Sequence, residues 1–286
     1  MRAAFIGLGV MGFPMAGHLA RAGHPVTVYN RTAARAAAWV ERYGGQAAPT
    51  PAAAARAAEV VFTCVGNDDD VAAVVDGDDG AFAGMAPGAV LVDHTTASAG
   101  LARRLAAAAA ARGLACLDAP VSGGQQGAEA GQLSIMVGGD AAVLERVRPV
   151  LAAYARAITH LGPAGAGQLT KMVNQICLAG LVEALAEGLA FAEKAGLDGR
   201  TVLAAIGQGA AQSWMMDHRS GTMLADRFDF GFAVDWMRKD LAICLDQARR
   251  QGAALPVTAL VDQLFADLQR AGGGRADITS LIRRLR

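Results

Sequence analysis

Residues 3–12 read Ala3-Ala4-Phe5-Ile6-Gly7-Leu8-Gly9-Val10-Met11-Gly12, a short apolar run followed by three glycines in the spacing GxGxxG. A helical stretch, 13–22, follows and is closed by Gly23, and a second apolar run, 25–29, comes next. This is strand, glycine turn, helix, strand. The first two glycines permit a tight turn and close approach of backbone to a pyrophosphate at the helix N-terminus, and the third lets helix and strand pack. Gly7, Leu8, Gly9, Val10, Met11 and Gly12 are therefore expected to hold a dinucleotide.

The end of the second strand selects between dinucleotides. A carboxylate there accepts hydrogen bonds from ribose hydroxyls and repels a 2′-phosphate. This chain has Asn30-Arg31-Thr32 instead. Arg31 can pair bidentately with phosphate and stack on adenine, Thr32 adds a hydroxyl, and Asn30 carries no charge. NADP(H) is expected over NAD(H); an arginine that only caps a turn is the plainer reading of the same residue.

Further apolar runs, 59–65, 89–93, 114–117 and 133–137, alternate with Ala-rich helical stretches such as 97–112. That alternation implies a doubly wound parallel sheet, whose ligand lies at the strand ends. Val65 and the His94-Thr95-Thr96 segment fall at two of these ends. Asp68, Asp69 and Asp70, with Asp76, Asp78 and Asp79, lack the spacing of a calcium loop and read as a solvated helix cap. Ser122-Gly123-Gly124, after Pro120, offers consecutive backbone N–H groups and a hydroxyl that suit a carboxylate, or else forms a hairpin into the next strand.

The long stretch 165–196, GAGQLTKMVNQICLAGLVEALAEGLAFAEKAG, has no proline, is rich in Ala, Leu and Glu, and ends on Lys194 and Gly196. It predicts one helix of roughly 28 residues, about 40 Å long. Lys171, Asn174 and Gln175 share one face near its start. They form either a reactive cluster or a solvated polar tip. Lys171, Lys194 and Lys239 are the only lysines among 26 basic residues. In a chain that uses arginine almost wherever a charge suffices, a retained lysine suggests a need for a cation that can lose its proton; Lys194, at a helix C-terminus, has the simpler explanation. Beyond 196, the segments 200–206, 232–250 and 257–269 have helical spacing, so the C-terminal part is all-α. Lys239 stands at the edge of an apolar helix face, and Trp214 and Phe232 read as core anchors or else as cleft walls, the core being preferred.

Composition narrows the function classes. Length 286 accommodates two domains, 1–163 and 164–286. Zero formal net charge offers no electrostatic capture of nucleic acid or of a membrane surface, so a small partner is expected. Charges such as Arg104, Arg112, Glu183 and Glu187 are expected to break each apolar run short of a membrane span. The glycine motif at Gly7 leaves no room for a leader ahead of it, and Cys64, Cys116, Cys177 and Cys244, without a CxxC, read as reduced core thiols in a cytoplasm. No metal site is expected.

Four motifs in one order, GLGVMG, DAPVSGGQQGA, GAGQLTKMVNQ and RKDL, resemble the β-hydroxyacid dehydrogenase family across 1 to about 274. The resemblance implies an N-terminal Rossmann domain, a long interdomain helix, an all-α C-terminal domain and a cleft between domains. It implies Lys171 as the catalytic lysine, Asn174 and Ser122-Gly123-Gly124 as substrate-binding groups, Lys239 as a substrate- and cofactor-side group that helps close the cleft, and Thr96 beside the nicotinamide ribose. Two departures stand out: Ala99 follows Ser98 where many members have proline, and Gln175 replaces the second asparagine of KxxNN.

The chemistry agrees. Reduction of an aldehyde by hydride builds charge on the carbonyl oxygen, and a buried ammonium both stabilises that charge and donates the proton. The expected substrate is a small carboxylate-bearing semialdehyde or hydroxy acid. The competing readings are a decarboxylating sugar-phosphate dehydrogenase of the 6-phosphogluconate type, which has a much longer helical domain, an imine reductase-like enzyme, which usually lacks the lysine, and a non-catalytic NADP-binding sensor, which needs only the first domain. A homo-oligomer, dimer or tetramer, is expected through Leu178, Leu181, Leu185 and Leu189 of the long helix.

Overall fold

The computed structural model describes residues 1–286. Nine strands form one sheet: β1 (Ala3–Ile6), β2 (Val26–Tyr29), β3 (Gln46–Ala47), β4 (Val60–Thr63), β5 (Val90–Asp93), β6 (Ala115–Asp118), β7 (Val121–Ser122), β8 (Leu133–Gly138) and β9 (Ala155–Gly162). Between them run α1 (Gly12–Arg21), α2 (Ala33–Tyr43), α3 (Pro51–Ala55), α4 (Asp68–Asp76), α5 (Ala81–Gly84), α6 (Ala99–Ala110), α7 (Gly124–Ala130) and α8 (Ala141–Leu151). The remainder is α9 (Ala166–Lys194), α10 (Gly199–Ile206), α11 (Trp214–Leu224), α12 (Val234–Gln251) and α13 (Pro256–Leu268), then a short 3₁₀ segment, Ile278–Arg284. The chain divides into two compact units, Met1–Lys171 and Met172–Arg286.

In the first unit the sheet order is β3-β2-β1-β4-β5-β6-β8-β7, parallel from β3 to β6. This is the doubly wound order, reversing direction at β1. The sheet explains why its strands read as unbroken apolar runs: β1, β4 and β5 are buried at every residue. Alternate residues feed two cores. Phe5, Val28, Phe62 and Val92 join Met15 of α1, Trp39 of α2 and Leu144 of α8 on one face. Ile6, Val61 and Leu91 join Val71 of α4, Phe82 of α5 and Leu101 of α6 on the other.

One expectation for this unit changes. The segment after Ser122 is not a plain hairpin: β7 does pair antiparallel with β8, but helix α7 fills the connection. Asp68, Asp69 and Asp70 do stand at a helix start, in the first turn of α4; the capping side chain is Asn67, which accepts from Asp70 N, and Asp68 also accepts from Ser98 N and Ser98 Oγ.

The second unit is all helical. Val182, Leu185 and Leu189 of α9 pack with Met237 and Leu241 of α12, Phe265 of α13 and Ile282 near the C-terminus. Leu178 and Leu181, partly buried, border the same core, so all four leucines named for a subunit contact also pack within the chain. By length and composition α9 is apolar enough to cross a membrane, contrary to the expectation that charges forbid it; half of its apolar window is buried against protein. Trp214 is not a core anchor. It is 46% exposed, with His218 stacked on it at 4.4 Å and Arg219 over its ring at 5.1 Å. Phe232 is partly buried against the core. None of the four cysteines is in a disulfide, and Cys177 is exposed rather than in the core.

Candidate active site

At the glycine turn each position has its own reason. Gly7 has φ +97°, and a Cβ there would run into the Cys64 carbonyl; a Cβ on Gly12 would run into the Gly7 carbonyl and the Phe5 ring. A Cβ on Gly9 would meet nothing within 4 Å. The turn is thus packed tight beneath and open above. Helix α1 begins there with no capping side chain and no acidic residue in its first turn, so its leading N–H groups suit a phosphate. Val10 is exposed beside it and Leu8 is buried.

Asn30 does more than leave the β2 end uncharged. Its Oδ1 accepts from Leu8 N at 2.9 Å and its Nδ2 donates to Thr32 O at 3.1 Å, tying the strand end to the glycine turn. Arg35, which the sequence did not single out, donates from Nη1 to Leu8 O at 2.9 Å. Arg31 is 88% exposed and reaches Asp70 at 3.5 Å. Thr32 stands at the N-cap of α2 without a side-chain capping bond.

Val65 and the segment after β5 are joined directly: Val65 N donates to Thr95 Oγ1 at 3.0 Å. Asp93, fully buried, accepts from Thr63 Oγ1 at 2.7 Å and from Thr95 N at 3.0 Å. Burial drives its carboxyl up to about 6 despite these donors. The neighbouring His94 is driven down to about 4, again chiefly by burial. It is neutral near pH 7. Because the Ala119 carbonyl can only accept, Nδ1–H must donate to it (2.6 Å), leaving Nε2 to accept from Tyr154 Oη (2.8 Å).

Asp118, at the end of β6, anchors the start of α9. Its Oδ1 accepts from Gly165 N at 2.7 Å and its Oδ2 from Gln168 N at 2.9 Å. Burial raises its carboxyl, and the backbone donors partly offset that. Gln168, buried, then spans the backbone around Thr96: Nε2 donates to Thr95 O at 2.7 Å and Oε1 accepts from Ala97 N at 3.0 Å. Lys171 follows one turn later and is also buried. Ser122 ends β7, and Gly123 and Gly124, with φ +131° and +59°, form the turn into α7.

In the second unit Asn174 is half-buried and donates from Nδ2 to Gln175 Oε1 at 2.8 Å. Gln175 in turn donates to Asp240 Oδ2 at 2.6 Å, and Asp240 Oδ1 lies 2.9 Å from Lys239 Nζ as an ion pair. Lys239 is 21% exposed and lies 6.0 Å from the Trp236 ring centroid. Gln175, the departure from KxxNN, is therefore the link that joins Asn174 to the Asp240–Lys239 pair.

An uncapped helix above an open glycine turn, at the reversal of a doubly wound sheet, fits a dinucleotide. With a buried lysine at the start of a following helix, the class is a nicotinamide-dependent oxidoreductase. Residues 2–162 match the family model "NAD binding domain of 6-phosphogluconate dehydrogenase", and residues 165–285 match "NAD-binding of NADP-dependent 3-hydroxyisobutyrate dehydrogenase". The chain belongs to the β-hydroxyacid dehydrogenase family. It is 61% identical over 284 residues to an uncharacterized oxidoreductase of Shewanella frigidimarina, covering 99% of this chain and 98% of the relative. It is 38% identical to 2-hydroxy-3-oxopropionate reductase of Escherichia coli over 285 residues, covering 100% of this chain and 97% of the reductase. The solved 3-hydroxyisobutyrate dehydrogenase of Mycobacterium tuberculosis, with L-serine, superposes with a TM-score of 0.89 at 33% identity over the whole of both chains.

Proposed function

We propose that this chain interconverts a small 3-hydroxy acid and its semialdehyde, with NADP(H) preferred over NAD(H) and Lys171 as general acid and base. The observation that carries the reading is the burial of Lys171, one of three lysines in the chain, on the face of α9 that also bears Asn174. Lysine is almost never fully buried without a partner or a role, so burial singles Lys171 out as a candidate functional group. The nicotinamide supplies or accepts the hydride. Lys171 Nζ donates a proton to the carbonyl oxygen during reduction and removes it from the hydroxyl during oxidation. Asn174 orients the lysine or the substrate hydroxyl, and Ser122 with the Gly123 and Gly124 backbone holds the substrate carboxylate.

Preference for NADP(H) is supported by Arg31, exposed at the end of a strand that carries no carboxylate there, and by the description of the second family model. Lys239, paired with Asp240, is assigned to the substrate and cofactor. A soluble, cytoplasmic homo-oligomer is part of the same proposal, without nucleic-acid or membrane partners. Exposed Val173 and Phe191 of α9, with Val257 and Leu260 of α13, support the oligomer better than the leucines do.

The test is oxidation of NADPH by the purified protein with glyoxylate, tartronate semialdehyde, succinic semialdehyde and methylmalonate semialdehyde, with NADH in parallel. Turnover with one of these, faster with NADPH, is the expected result. Cofactor binding without turnover on any of them would return the protein to the sensor reading.

A further inference from the structure

We propose that Gln168 is a positioning residue for hydride transfer, fixing the Thr96 segment and the Lys171 turn of α9 to each other. The proposal rests on the functional reading above. Its own ground is geometric. The Gln168 carboxamide uses its donor on Thr95 O and its acceptor on Ala97 N, so it grips the backbone on both sides of Thr96. A carboxamide offers both functions in one plane, which a carboxylate or a hydrocarbon does not.

The rest of the surroundings remove slack from the same arrangement. The Gln168 main chain is pinned through its N–H to Asp118, and Gly165 N is held by the other oxygen of that carboxylate. Thr95 is held by Asp93 through its N–H and by Val65 N through its hydroxyl. Directed hydrogen bonds thus join the β4 end to the β5 end and the β6 end to the first turn of α9, and Gln168 is where the β5 end is bonded to the helix. Lys171 lies at i+3 from it.

Asp118 already caps the helix start, so the Gln168 side chain is not needed for capping. What it adds is a fixed distance between the lysine-bearing turn and the β5 end. In a doubly wound sheet the half beginning at β1 takes the adenosine moiety, and the half from β4 to β6 takes the second nucleotide. Thr96 is on the second half. Loosening Gln168 should leave adenosine binding intact, and disturb nicotinamide placement and proton donation together. Misplacement of reacting groups by about 1 Å can cost on the order of a hundredfold in rate.

The experiment compares wild type with Gln168→Met, which keeps the length without polar atoms, and Gln168→Glu, which keeps an acceptor for Ala97 N but loses the donor to Thr95 O. Each is measured for thermal midpoint, for affinity toward NADPH and toward 2′,5′-ADP by calorimetry, and for kcat with NADPH and with NADPH deuterated at C4 on the transferred face. We expect kcat to fall by at least about tenfold, from two buried hydrogen bonds lost or replaced, with a larger isotope effect. We also expect NADPH to bind more weakly while 2′,5′-ADP binds as to wild type. Unchanged kcat, isotope effect and NADPH affinity would overturn the proposal. So would equal weakening of both ligands in step with a lowered midpoint, which is what a purely structural residue would give. Should the Met and Glu variants not fold, Gln168→Asn, with both polar functions one methylene short, serves the same comparison. Absence of turnover by wild type would sink the functional reading, while the binding comparison, which needs no turnover, would still decide for or against Gln168.

Discussion

Gln175 Nε2 donates to Asp240 Oδ2 at 2.6 Å, with both residues buried. A neutral amide facing a buried carboxylate makes a charge-assisted hydrogen bond, and the other carboxylate oxygen holds Lys239. The three side chains are one unit, with Asn174 attached through Gln175. Asp240→Asn and Gln175→Leu should therefore be non-additive in stability, with a coupling of roughly 1–3 kcal/mol in a double-mutant cycle. Chemical denaturation of the four proteins measures it. Additive losses would mean that Gln175 only fills space.

Lys171→Met removes the proposed proton donor and leaves a side chain of similar length. The rate of carbonyl reduction should drop by about 10²–10⁴-fold, the range typical of a lost general acid. NADPH affinity should stay as in wild type, since the glycine turn and Arg31 are untouched. A variant that keeps wild-type kcat would remove Lys171 from the mechanism.

The first unit is legible where its strands, β1, β4 and β5, are buried on both faces. The apolar run Ala3–Ile6 matches β1 end to end, and the other strands and helices with bounds legible in the sequence lie within one or two residues of those in the structure, whereas β3, β7, α2, α8 and α11 carry no such bounds. β9 leaves no such signal: ARAITHLG is mostly exposed and carries no run of core residues. α7 is hidden behind Gly123-Gly124, a pair that reads as a turn and, with positive φ at both residues, opens a helix. Trp214 misled for a different reason, since its apolar area is covered by His218 and Arg219 at the surface rather than by core residues. Among site residues, the glycines announced themselves by spacing. Gln168 and Arg35 did not, because both bond to backbone atoms far away in sequence. A backbone partner has no side-chain identity to recognise.

Arg31→Ala tests cofactor choice. A guanidinium paired with a phosphate makes charge-assisted bonds of about 1.5–3 kcal/mol, so NADPH affinity should weaken by about ten- to a hundredfold. NADH affinity should not change, because that cofactor has no 2′-phosphate. Calorimetric titration with each cofactor checks this. The pair with Asp70 is exposed on the arginine side, so its loss should contribute little to stability. Equal weakening toward both cofactors would place Arg31 on adenine rather than on phosphate.

Asp93 and His94 are adjacent and fully buried, and their pH effects on stability oppose each other. The Asp93 carboxyl moves from 3.8 up to about 6, so the native state holds its proton where the unfolded chain has lost it, and this stability is lost as pH rises from about 4 to 6. The His94 imidazole moves from 6.5 down to about 4, so the unfolded chain takes up a proton first, and stability is lost as pH falls from about 6.5 to 4. Each amounts to roughly 3 kcal/mol at full extent. Between about pH 4 and 6 the two slopes nearly cancel. Asp93→Asn should remove one of them, so its stability relative to wild type should rise by about 3 kcal/mol as pH goes from 4 to 6.5. His94→Gln should show the reverse, gaining relative to wild type by a similar amount as pH falls across the same window. Denaturant unfolding at half-unit pH intervals reads both differences, with the shared response of all other carboxylates subtracted out. Parallel stability curves for wild type and Asp93→Asn would show that Asp93 stays ionised in the fold, held by Thr63 and Thr95 against the cost of burial.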